Sequence, residues 1–87
     1  MTDTPQAAER TTDFMAKNNA VMTDEVGIIT GEVTLQTQLD DKGGVVQRVQ
    51  YKDADEWYRL TGAPTSLPPG QSLDDLHEQT VTGLRES

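Results

Sequence analysis

The chain has no cysteine, one histidine, one phenylalanine and one tryptophan in 87 residues. Without cysteine there can be no disulfide, thiolate nucleophile or cysteine-bound metal, which fits a reducing compartment. No segment approaches the ~20 apolar residues of a membrane span, and the first 30 residues lack a basic start followed by an apolar run. The expectation is a soluble cytoplasmic protein with no membrane partner. Leu, Ile, Val and Phe together number 17, just under a fifth of the chain, so the core is small. Such a chain supports one domain. Residues 1–10, polar and without apolar period, read as a disordered tail before a single domain over 11–87.

Bases are also scarce, at 7 Lys and Arg against 15 Asp and Glu, for a formal net charge of -8. The acids are uneven: residues 1–30 carry five acids and two bases, residues 31–52 three of each, and residues 53–87 seven acids and two bases. A polyanionic surface repels phosphate backbones, so no direct nucleic-acid partner is expected.

What is present is a hairpin. Asp40-Asp41-Lys42-Gly43-Gly44 separates two alternating runs, and a type I turn with a left-handed glycine sets Leu39 opposite Val45, Thr37 opposite Gln47, Leu35 opposite Val49 and Val33 opposite Tyr51. These residues form the dry face. The other face carries Gln38 with Val46, Gln36 with Arg48, Thr34 with Gln50 and Glu32 with Lys52. A one-residue slip would expose five large side chains at about 1.5 to 3 kcal/mol each, so the register is well determined.

A lone hairpin is marginal in water, so the flanks must supply partners. From Thr12, an N-cap candidate, a short helix to about Ala20 is expected, anchored by Phe14 and Met15. Val26-Gly27-Ile28-Ile29 starts an extended segment, with Gly31 as a bend. Residues 53–61 admit two readings. Asp53 and Glu56 could form a capping box for a helix ending at Gly62, or Trp57 to Thr61 could be a third strand; the strand is preferred because it gives the hairpin a partner. Three prolines keep residues 63–71 extended. Ser72 then caps a helix with Asp74 and Asp75 in its first turn and Leu73, Leu76, Thr80 and Leu84 in one stripe. The expected fold class is α+β: a three-stranded antiparallel meander (about 28–39, 45–52 and 56–61) with a short N-terminal helix and a C-terminal helix (about 73–84) packed on one face.

Candidate chemistry is thin. His77 borders the helical stripe, without the nucleophile, orienting carboxylate or ligand cluster that a base or metal site needs, and reads as an edge-of-core histidine. The carboxylate pairs Asp40-Asp41, Asp53/Asp55 and Asp74-Asp75 serve turns and helix ends, and residues 53–56 do not continue into a calcium loop. No catalytic residue, metal or cofactor is expected. Trp57 and Tyr58 are adjacent, so in a strand one enters the core and the other is exposed beside Arg59, the composition of a contact hot spot.

The order helix, three strands, helix resembles the double-stranded RNA-binding fold, whose last helix starts with lysines. Here that start reads Ser72-Leu73-Asp74-Asp75, so the charge is reversed and the resemblance implies no RNA binding. The run Pro69-Gly70-Gln71-Ser72-Leu73-Asp74-Asp75-Leu76 is similar to the helix start of HicB-type antitoxins. The functional expectation is a small acidic, non-enzymatic interaction or regulatory domain, antitoxin- or immunity-like. Its basic protein partner would be held by Trp57, Tyr58, Arg59, Asp53, Asp55, Glu56, Asp74 and Asp75. The alternatives are a homo-oligomeric module pairing through a free sheet edge, and a small-ligand or metal-dependent enzyme.

Overall fold

In the computed structural model, residues 8–85 are described, without the side chains of 17–20. The elements are β1 (Ala8–Thr23), β2 (Gly27–Leu39), β3 (Val45–Tyr51), β4 (Tyr58–Arg59) and α1 (Leu73–Arg85). Neighbouring strands are antiparallel, in the sheet order β1-β2-β3-β4. The class is α+β.

The β2–β3 hairpin has the register its turn demands, from Leu39 opposite Val45 to Val33 opposite Tyr51. Gly43 takes φ 88°, and its N–H donates to the Asp40 carbonyl. The Asp40 carboxylate accepts from the N–H groups of Gly44 at 2.7 Å and Lys42 at 2.8 Å. Those bonds hold its carboxyl below the usual carboxylate value, the Gly44 bond most strongly.

Five expectations need correction. The segment expected to be helical from Thr12 is strand β1, and residues 8–10 of the supposed tail belong to it; residues 1–7 lie outside the described residues. The reason is tertiary. Thr12, Phe14 and Ala16 alternate inward while Thr11, Asp13 and Met15 face water, so the segment meets the free edge of β2 better as a strand than as a short unsupported helix. The third strand is shorter than expected, two residues, because the chain turns at Leu60 and Thr61 to Thr23 and Met22 of β1 instead of continuing along β3. Tyr51, expected on the dry face, is 42% exposed at the end of that face. Trp57 and Tyr58 are both half-buried, so neither is the lone exposed aromatic.

The sheet does not lie flat. Ala16 pairs with Gly31 and Val21 with Ile29, so residues 17–20 of β1 stand against Thr30 alone, and Gly31 takes φ 97°. This irregularity bends the β1–β2 hairpin. Its tip curls across to the far edge: Thr23 bridges Leu60, the Asp24 N–H donates to the Arg59 carbonyl at 3.0 Å, and the Thr61 N–H donates to the Met22 carbonyl at 2.9 Å. First and last strands thus meet in a seam, which covers part of the edge that a short sheet would expose.

Inside the curl lie Phe14, Ala16, Val21, Ile29, Val33, Leu35 and Val49, with Val81 from α1 and flanking Tyr58, Leu60 and Leu84. The helix packs mainly on β1, turning Leu73, Leu76, His77 and Val81 inward at helical spacing. Ser72 caps it reciprocally: its Oγ accepts from the Asp75 N–H while the Asp75 carboxylate accepts from the Ser72 N–H, both at 3.1 Å. Before it, Pro69 and Gly70 (φ 79°) are the central pair of a turn closed by the Gln71 N–H on the Pro68 carbonyl.

Candidate functional site

The dry face has two chemistries. One residue pair toward the Asp40 turn from Leu35 and Val49, the face carries Thr37 opposite Gln47, both buried. His77 points into that polar patch, 5% exposed and beside the apolar core rather than within it, as an edge-of-core histidine should be. Its Nδ1 lies 2.7 Å from Thr37 Oγ1 and its Nε2 2.8 Å from Thr12 Oγ1. Gln47 Nε2 donates to Thr37 Oγ1 at 3.1 Å and to Thr80 Oγ1 at 3.0 Å, and the Thr80 hydroxyl donates to the Leu76 carbonyl.

Counting donors assigns the directions. With Gln47 donating to Thr37, the Thr37 hydroxyl hydrogen is satisfied by donating to His77 Nδ1, which leaves Nε2–H to donate to Thr12. Only the neutral ring does this. Burial lowers the His77 pKa below the usual histidine value, the nearby Arg10 cation lowers it further, and Asp74 and Glu78 oppose them. Both ring nitrogens are occupied, so the histidine pins a helix to a sheet. No group of three or more His, Cys, Asp or Glu side chains among the described residues could hold a metal ion.

The residues expected to bind a partner fall into two places. Asp74 and Asp75 sit at the start of α1, where Asp74 pairs with Arg10 and Asp75 caps the helix. Arg10 stands opposite Thr37, near the Asp40 turn. Asp53, Asp55, Glu56, Trp57, Tyr58 and Arg59 follow the other end of β3. The two acid groups therefore do not share a surface.

The second group does meet something that sequence reasoning passed over, the hairpin tip. The Glu25 carboxylate accepts from the Arg59 N–H at 2.9 Å, and Thr61 Oγ1 donates to Asp24 Oδ1 at 2.6 Å. Tyr58 donates its hydroxyl to Glu56 at 3.3 Å, and burial followed by the charge of Glu56 raises its pKa, with Tyr51 and Glu25 adding to the effect. Because Thr23 and Leu60 point inward at the bridge, Met22, Asp24, Arg59 and Thr61 face outward together. Ile28, the cross-strand partner of Met22, shares that outer face.

Large apolar side chains are exposed here. Met22 and Ile28 are each 45% exposed and Val26 in the tip turn 52%, with Met15 on the same outer face beyond the bend. The carboxylates of Asp24 and Glu25 border them. One signal was readable: Val26, Ile28 and Ile29 lie too close for a two-sided strand to bury all three. What could not be read was the curl that brings the tip to β4. No helix among the described residues is long and apolar enough to cross a membrane. No family model, curated protein or solved structure matches this chain.

Proposed function

We propose that the protein is an acidic, non-enzymatic protein-binding domain whose docking surface is the seam between the β1–β2 hairpin tip and β4, and whose partner presents apolar side chains among basic ones. The observation that carries this reading is the exposure of Met22, Val26 and Ile28 on one seam bordered by Asp24 and Glu25. Monomeric surfaces rarely gather large apolar groups with charged rims unless something covers them. Met adapts to irregular partner surfaces, and surrounding carboxylates speed encounter with a cation-rich partner. Asp53 and Asp55, exposed and without an ion pair among the described residues, add acid in the segment between β3 and β4.

A photo-crosslinking side chain at position 22 or 28 should capture a basic protein in the native host, with capture falling as salt rises. The same group at Thr11, on the outer face far from the seam, should capture none. Equal capture from all three positions would overturn the seam assignment. Met22→Asp with Ile28→Asp should abolish binding while leaving the fold intact, since both side chains are already exposed.

One observation favours a homo-oligomeric module instead. Residues 8–16 of β1 have no strand on their outer edge among the described residues, and a free edge can pair with a second copy. Light scattering at rising concentration decides it: a strict monomer removes this reading.

A further inference from the structure

We propose that His77 is an acid-sensitive latch: protonation of its ring releases α1 from the sheet while the strands stay assembled. The ring bridges three elements, because α1 carries it, β1 supplies Thr12 and β2 supplies Thr37, with Gln47 of β3 behind. In the neutral form every donor of the ring, of Thr37, of the Gln47 amide and of Thr80 has an acceptor. A second ring proton must sit on Nδ1, where it and the Gln47 amide both point at Thr37 Oγ1. The Thr37 hydroxyl hydrogen then loses its acceptor at a residue that is 0% exposed, where no water can replace it.

The charged groups facing the ring do not rescue the cation. From β1, Arg10 repels it; from its own helix, Asp74 and Glu78 attract it, but Asp74 is engaged by Arg10. From β2 and β3 the ring meets only the uncharged Thr37 and Gln47. On the Nε2 side the ring borders a shallow groove of about 190 Å³, lined by Thr12, His77, Glu78, Val81, Thr82 and Arg85, while Nδ1 takes the second proton only as its contact with Thr37 opens. Release of α1 would uncover Leu73, Leu76 and Val81 together with the face beneath.

The sign follows from the depressed value in the docked state. Docking is at full strength above the ordinary histidine value of about 6.5, and weakens about tenfold per pH unit below it until the docked ring itself titrates. Amide exchange of the intact protein, corrected for intrinsic rates, and the His77 ring resonances should be followed together by NMR from pH 8 downward. The expected result is an Nε2–H ring whose midpoint lies below about 6.5, with α1 amides losing protection over the interval before β2 and β3 amides do. In His77→Gln the α1 amides should show no such acid loss. Loss of α1 and β2–β3 protection in one step would overturn the latch, as would α1 protection that ignores the ring titration. The comparison within the wild-type molecule decides the question even if the variant does not fold.

Discussion

Two neighbouring parts of the same buried face are built on opposite principles. Around Phe14, Val33, Leu35 and Val49 the contacts are apolar and without direction. One step along the strands, Thr12, Thr37, Gln47 and His77 fill the interior with groups that each need a partner in a fixed direction. The apolar part holds the curled sheet together, since burial is proportional to area and indifferent to orientation. The polar part decides where the helix sits. A helix on a purely apolar sheet could slide or rotate at small cost, whereas His77 accepts only one placement.

The comparison breaks most visibly at Leu35, which is 0% exposed. Leu35→Ala should lower stability by about 2 to 5 kcal/mol, read from urea unfolding, because the packed sheet relaxes only partly into the space left. Thr37→Val tests the other part with a change of almost no volume. It removes the hydroxyl that joins His77 to Gln47 and leaves both with an unpaired group, for an expected loss of about 1 to 3 kcal/mol. Val49→Thr is the mirror experiment: the same exchange in reverse, one pair along β3, should cost about 1 to 3 kcal/mol because its hydroxyl meets only apolar neighbours. If Thr37→Val were neutral, the polar patch would be a tolerated accident rather than the device that sets the helix.

The two parts also differ in how far they could be read in the sequence. The hairpin register was legible because local turn chemistry at Asp40 to Gly44 and the alternation beside it point the same way. A Cβ at Gly44 would come within 2.6 Å of the Asp40 carboxylate that closes the turn, so a side chain there has to displace that carboxylate. Helix α1 was legible for the same reason, from Ser72 and its acids. Strand β1 was not: Met15, Ala16 and Lys17 favour a helix on local grounds, and only a partner edge reverses the choice. The polar cluster was not legible either. Thr12 and Thr37 lie 65 and 40 residues from His77, and nothing in a threonine's local sequence says that it faces a ring nitrogen. The seam escaped notice because a bend at residues 17–20 decides which loop the tip touches.

Where the helix begins, the contributions shrink. Ser72→Ala removes the oxygen that accepts from the Asp75 N–H and should cost about 1 kcal/mol in thermal unfolding. If it costs as much as Thr37→Val, the helix start rather than the histidine fixes the placement of α1.

The smallest effect belongs to Arg10 and Asp74, whose side chains pair between β1 and the first turn of α1 but remain 45% and 64% exposed. A pair so wet gains little from its Coulomb attraction and is screened by salt, so Asp74→Asn should change stability by no more than about 1 kcal/mol, less at high salt. Its value as a test lies in the ring beside it. Asp74 partly offsets the Arg10 cation at His77, and removing its charge leaves Arg10 less opposed. The His77 midpoint should therefore move further down in Asp74→Asn, and up in Arg10→Gln, with the global stability of both variants nearly unchanged. Opposite shifts of the ring at constant stability would separate the electrostatics of the polar part from its packing, which no substitution in the apolar part can do.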